Sequence, residues 1–91
     1  MSNLDQTYEA LIAFHRALVE FNEELSLSVR EVKERHADIE SIWRDSAAQK
    51  YEATFRPFAD TIDLYLAAHA SRFEDFLKAK IINLGQYLHG A

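Results

Sequence analysis

The sequence has no cysteine, only one proline and only two glycines among its 91 residues. Without cysteine, neither a disulfide framework nor a thiolate metal site can form, so the fold must be stabilised by packing or by a partner. The glycines, Gly85 and Gly90, stand near the end of the chain and cannot build a loop that cradles a nucleotide phosphate. With 48% hydrophobic and 12% aromatic residues, the composition favours a folded globular or helical-bundle domain over disorder.

Long apolar runs and surplus positive charge are also missing. No run of about 18 uncharged apolar residues could span a bilayer, and the N-terminus lacks the basic-then-apolar order of a signal peptide. We therefore expect synthesis as a cytoplasmic chain with no membrane span. The formal charge of −5 and the scattered lysines and arginines would repel a phosphate backbone, so no nucleic-acid partner is expected.

The first half of the chain carries a coiled-coil seam, in which apolar positions recur at alternating steps of four and three residues. This pattern predicts a helix over about residues 4–42, with Ser2 and Asp5 as a capping pair at its start. The seam consists of Leu4, Tyr8, Leu11, His15, Leu18, Asn22, Leu25, Val29, Val32, His36, Ile39 and Trp43.

The second half is helical with a different period, because its apolar residues recur every eleven positions. An eleven-residue repeat lies close to the natural helix period and predicts a nearly straight helix over about residues 47–88. The rows are Tyr51, Ile62, Phe73 and Leu84; Phe55, Leu66, Leu77 and Leu88; and Phe58, His69 and Lys80.

The turn between the helices is predicted at about residues 43–46, a segment that includes Trp43 and Asp45. Ser46 and Gln49 have the spacing of a capping box that would start a new helix. If residues of the two helices are paired so that their numbers sum to about 90, apolar residues face apolar residues along both arms. This predicts a single domain, 1–91, folded as an antiparallel two-helix hairpin. A turn at Arg56-Pro57, with unequal arms, is the alternative.

One polar pair interrupts this scheme, since Asn22 falls opposite His69. A buried polar layer fixes alignment, because slipped pairings leave its groups unsatisfied. The two residues are therefore predicted to act as a register device.

More apolar residues remain beside the seam than two helices can bury, and such patches usually mark interfaces. They predict an all-α four-helix bundle in which the hairpin pairs with another helical protein, as a homodimer or heterodimer. Alternatively, a bend at Pro57 folds the second helix back and covers them within the monomer. The candidate interface residues are Ile12, Phe14, Val19, Phe21, Tyr65, Phe76, Ile81 and Tyr87.

Catalytic and metal-binding patterns are weak in this sequence. His36 and Glu40 are one helical turn apart and could share an ion, but a seam imidazole more often pairs with a hydroxyl, amide or carboxylate. The inward Glu-x-x-His motifs of ferritin-like sites do not occur. We therefore expect no enzymatic activity, no cofactor and no metal, with a metal-binding carboxylate protein kept as an alternative.

The segment over residues 43–51 resembles the hairpin turn of the WXG-type, ESAT-like small proteins of type VII secretion. Trp43, Ala47, Ala48 and Tyr51 match that turn, while Asp45 stands where the family has glycine. Aspartate is among the least costly substitutes if the position needs positive φ. The family's C-terminal Tyr-x-x-x-Asp/Glu signal is absent, since Tyr87 is followed four places later by alanine.

The resemblance implies a dimer of hairpins that serves as a secreted substrate, a targeting partner or a chaperone of a larger effector, exported without a cleaved signal peptide. Trp43 would then pack at the turn, against the partner or the opposite arm. The missing tail signal implies dependence on a partner that carries one. An unrelated helical adaptor or chaperone module that binds an amphipathic helix is the alternative.

Overall fold

A computed structural model describes residues 3–90 and shows an antiparallel helical hairpin with dimensions of 64 × 20 × 16 Å. Helix α1 spans Asn3–Glu40 and forms the first arm. The second arm consists of α2 (Ser46–Leu64), one π-helical turn (Tyr65–His69) and α3 (Ala70–His89). The prediction of an all-α hairpin is confirmed, whereas the predicted cap at Ser2 lies outside the described residues.

The turn is closed by Asp45, which caps α2. Its backbone is extended (φ −84°, ψ −176°), and its side chain accepts a hydrogen bond from the backbone N–H of Ala48, with a distance of 2.9 Å. The cap is therefore Asp45 and not Ser46, which is the first residue of the helix. Within residues 3–90 no non-glycine residue has a positive φ, so Asp45 needs no left-handed conformation.

Replacing Asp45 with alanine should lower the free energy of unfolding by about 1 kcal/mol, because the Ala48 N–H loses its acceptor. Asp45→Asn retains an acceptor and should be close to wild type, and Asp45→Gly should cost only a few tenths of a kcal/mol. Urea denaturation followed by circular dichroism measures all three variants. Equal stability of Asp45→Ala and Asp45→Asn would contradict the capping role.

Pro57 lies inside α2 and does not end it. The helix continues to Leu64, and the carbonyl of Pro57 accepts a hydrogen bond from the Thr61 hydroxyl at 2.9 Å. The alternative turn at Arg56-Pro57 is therefore wrong, and the second arm does not fold back on itself. The irregular segment lies further along, where the Ala70 N–H donates to the carbonyl of Tyr65, five residues earlier.

The seam of the second arm follows a heptad pattern on both sides of this π turn. The three consecutive steps of four at Ile62, Leu66, Ala70 and Glu74 show that one extra residue has been inserted into that pattern. A π turn accommodates such an insertion. The buried and half-buried seam positions are Ala48, Glu52, Phe55, Ala59, Ile62, Leu66, Ala70, Glu74, Leu77, Ile81, Leu84 and Leu88.

The insertion moves two predicted seam residues to the surface. One extra residue turns the following side chains by about 100° relative to an uninterrupted pattern. His69, which the eleven-residue rows set opposite Asn22, is exposed, and so is Phe73, at 52%. The prediction of a uniform eleven-residue helix is therefore wrong in this region.

The arms approach most closely between α1 and α3, where small residues lie in or beside the seam. Ala70 is 5% exposed. A Cβ atom placed on Gly85 would lie 3.2 Å from the Tyr8 ring. Near the turn, the stacked rings of His36 and Phe55, with centroids 4.2 Å apart, occupy the space between α1 and α2 instead.

Candidate functional site

The most buried side chain of α1 is polar. Asn22 is only 5% exposed, and among residues 3–90 only Ala70 and Leu84 are buried to a similar degree. A hairpin with so few enclosed apolar side chains has little hydrophobic core of its own. The centre of the molecule is therefore organised by hydrogen bonds as well as by apolar contact.

Asn22 links two residues of the second arm in a short polar chain. The Tyr65 hydroxyl donates to Asn22 Oδ1 at 2.7 Å, and Asn22 Nδ2 donates to Glu74 Oε2 at 2.8 Å. The predicted partner, His69, is not involved: it is exposed, and its ring faces Phe73 with centroids 6.4 Å apart. The pairing of Asn22 with His69 is thus corrected, although Asn22 does form a buried polar layer.

The π turn is what allows Tyr65 and Glu74 to reach the same asparagine. Residues nine apart lie about 180° from each other on an α-helix. The extra residue of the turn at Tyr65–His69 reduces that angle to about 80°. Both side chains then flank Asn22, so the polar layer and the π turn are parts of one arrangement.

Asn22→Asp should lower the free energy of unfolding by about 2 kcal/mol, because it replaces the donor to Glu74 with a second carboxylate. Adding Glu74→Gln reverses the hydrogen bond, with an amide now donating to a carboxylate, and should restore most of the loss. Urea denaturation of the two single variants and the double variant measures this coupling. Strictly additive losses would contradict the contact between the two side chains.

Two apolar pockets that share Tyr65 lie along the two arms next to this polar layer, and together they form a groove. Its edges are aromatic and open to solvent: Phe14 is 56% exposed, Phe21 is 54% and Phe76 is 75%. We call it the aromatic groove. Its lining residues are Phe14, Leu18, Phe21 and Leu25 on α1, and Thr61, Ile62, Tyr65, Phe73, Phe76 and Leu77 on the second arm.

The eight predicted interface residues lie in four different places. Phe14, Phe21, Tyr65 and Phe76 line the aromatic groove. Phe73 also lines the groove. It was not predicted as an interface residue, because the eleven-residue row that contains it assigned it to the seam.

The remaining four lie elsewhere. Ile12 and Val19 are half-buried on the other flank of α1, since residues two apart on a helix differ by about 200°. Ile81 is half-buried in the seam, and Tyr87 is 75% exposed away from the groove. The eight residues therefore do not form one continuous patch.

A second group of aromatic side chains closes the turn. Trp43 is 38% exposed, and its ring lies 5.7 Å from that of Tyr51 on the opposite arm. Together with charged residues of both arms they border an open cleft of about 510 Å³, whose other walls include His36, Glu40 and Glu52. The predicted turn residue Trp43 thus packs across the hairpin end.

Comparisons of the chain with protein-family models, with curated proteins and with solved structures found no match. Among the described residues, none of the helices combines the length and the apolar character needed to cross a membrane.

Proposed function

We propose that this protein is a non-enzymatic interaction module whose aromatic groove packs against another helical hairpin to form a four-helix bundle. The observation that carries the proposal is the large surface of the single chain. Its accessible area is 7121 Å², whereas a compact monomer of this mass exposes about 5,400 Å². Its radius of gyration is 19.8 Å, against about 12 Å for a compact chain of this length.

The excess surface is larger than the area that one partner buries in an interface of standard size. It amounts to roughly 1,700 Å², about twice the 800 Å² that one partner buries in an interface of standard size. Obligate dimers bury areas of this larger kind and are more apolar than transient complexes. The surface of an isolated hairpin is thus large enough to need a partner.

The groove has the pattern that an additional helix requires. Its α1 wall consists of Phe14, Leu18, Phe21 and Leu25, at steps of four, three and four residues. Such a ridge accepts the knobs of a facing helix at the shallow crossing angles of four-helix bundles. The partner is therefore expected to be helical, whether it is a second copy or a different chain.

The resemblance to WXG-type proteins supports a more specific role. A hairpin of this length with a tryptophan at its turn fits a secreted or targeting partner, or a chaperone of a larger effector, in type VII secretion. Asp45 replaces the family glycine without strain, because its extended backbone and capping hydrogen bond need no positive φ.

Sedimentation velocity over low to high micromolar concentrations tests the proposal directly. A homodimer should appear for the isolated chain, or a heterodimer after co-expression with the product of an adjacent gene. Cross-links from the groove residues to the partner should then be found by mass spectrometry. A compact monomer at every concentration that captures no helical partner would refute the proposed function.

A further inference from the structure

Three potential metal ligands from both arms meet in the cleft beside the turn. His36 and Glu40 lie one turn apart near the end of α1, and Glu52 reaches them from α2. One ligand atom from each residue lies within 4.8 Å of the other two. The sequence could suggest only the pair on α1, because Glu52 joins them through the hairpin fold.

The imidazole of His36 is held in place, and its Nε2 atom faces the carboxylates of Glu52 and Glu40. Its ring stacks on Phe55, at 4.2 Å between centroids and 21° between planes. Nε2 is buried and makes no hydrogen bond. Oε2 of Glu52 lies 2.7 Å from Nε2, which is an ion-pair contact when the imidazole is protonated. When the imidazole is neutral with its proton on Nδ1, Nε2 carries a lone pair that a metal ion can accept.

We propose that His36 Nε2 and the carboxylates of Glu40 and Glu52 bind one Zn²⁺ ion, which joins the two arms next to the turn. Zinc binds imidazole and carboxylate at about 2.0–2.2 Å, so two of its tetrahedral ligands lie roughly 3.3 Å apart. The distances from Nε2 are 2.7 Å to Glu52 Oε2 and 3.9 Å to Glu40 Oε2. Relative to Nε2, each carboxylate oxygen is therefore within roughly 0.6 Å of the spacing that two zinc ligands need.

The surroundings are compatible with these small shifts and with the charge of the ion. The side chain of Glu40 is 55% exposed and that of Glu52 is 27% exposed, so neither is locked by packing. Two carboxylates and a neutral imidazole balance a divalent cation. Arg56 contacts Oε1 of Glu52 at 3.1 Å, which leaves Oε2 for the metal and orients the carboxylate as an outer-shell partner does.

The charged groups facing the site from the second arm and the turn include two arginines. Arg56 and Arg44 border the same cleft, and their positive charge opposes cation binding. A hard cation held by charge alone would therefore bind poorly here. Zinc gains from bonding to the imidazole nitrogen, for which Mg²⁺ has little affinity, so selectivity for zinc over magnesium is a consequence of the proposal.

The test uses the full chain, freed of metal with a chelator and then titrated with zinc chloride in a calorimeter. One Zn²⁺ should bind per chain, and Mg²⁺ should not compete. Glu40→Gln should weaken zinc binding at least tenfold. Glu31→Gln is the matched control, because Glu31 is an exposed acid on the same helix that pairs with Arg35 at 3.8 Å and does not border the cleft; its zinc affinity should equal that of the wild type.

Stability gives an independent readout. Zinc should raise the melting temperature of the wild type and of Glu31→Gln, but much less that of Glu40→Gln, since a ligand stabilises a fold only as far as it binds it. Circular dichroism of the metal-free variants establishes that each one is folded. Absence of stoichiometric zinc, or equal affinity in Glu40→Gln and the control, would overturn the proposal and would leave the proposed groove interface unaffected.

Discussion

Phe76→Glu is expected to weaken association of the hairpin about a hundredfold, the scale of a central interface residue. The Phe76 side chain is 75% exposed in the single chain and forms one wall of the aromatic groove. A buried glutamate in that position would lose its hydration without gaining a partner. Because the residue contributes little to the hairpin itself, the helical content of the variant should be unchanged.

Ile42→Glu is the matched control. Ile42 is 82% exposed at the turn and does not line the groove, so the same change of charge should leave the dissociation constant nearly unchanged. Sedimentation equilibrium measures the association of both variants, and circular dichroism compares their folding. If Phe76→Glu associates as tightly as Ile42→Glu, the groove is not the interface.

Deleting His69 should leave the hairpin within about 1 kcal/mol of wild-type stability, which is an unusual outcome for a deletion inside a helix. The deletion removes the extra residue, so the seam of the second arm becomes one uninterrupted heptad pattern. Tyr65 and Glu74 would then be eight residues apart, which places their side chains about 80° from each other on a regular α-helix. Both could still reach Asn22. The π turn itself should disappear.

Deleting Ala79 instead should lower the free energy of unfolding by about 3 kcal/mol or more. Ala79 is exposed in α3, and its loss would rotate Ile81, Leu84 and Leu88 by about 100° out of the seam. The melting temperature of this variant should then lie about 12 °C or more below that of the wild type, and about 8 °C or more below that of the His69 deletion. Similar melting temperatures for the two deletions would contradict the insertion at the π turn.

The His69 deletion also tests what the π turn contributes to the polar layer of Asn22, Tyr65 and Glu74. If only the relative rotation of Tyr65 and Glu74 matters, the His69 deletion should retain the coupling between Asn22 and Glu74, because the deletion keeps that rotation at about 80°. Measuring the Asn22→Asp and Glu74→Gln pair in the deleted background tests this. A lost coupling would mean that the shape of the π turn, and not only the rotation it causes, is needed.

The sequence alone determined the local features of the fold. The alternating steps of four and three in α1 predict its length and its inward face, and the positions of Tyr8, Leu18 and Asn22 agree with that face. The turn near Asp45 also follows from short-range signals. These predictions depend on neighbours within one or two helical turns, which the sequence displays directly.

Which residues meet in the cleft beside the turn and in the polar layer was decided only by the tertiary structure. Glu52 meets His36 only because α2 returns beside α1, and Asn22 finds Tyr65 and Glu74 only after the second arm has been placed. The sequence shows which residues carry donors and acceptors, but not which of them cross the seam at the same height. Pairing by a constant sum of residue numbers fails after an insertion.

The eleven-residue rows illustrate the same limit. A heptad seam already contains spacings of eleven, as four, three and four, and one inserted residue preserves the next spacing as four, four and three. The sequence therefore determined that the second arm is helical and roughly how its apolar residues recur. The seam of α1 has no insertion, and both arms must keep their apolar faces together along their whole length. Packing against α1 therefore confines the extra residue of the second arm to the π turn at Tyr65–His69, which the sequence alone did not show.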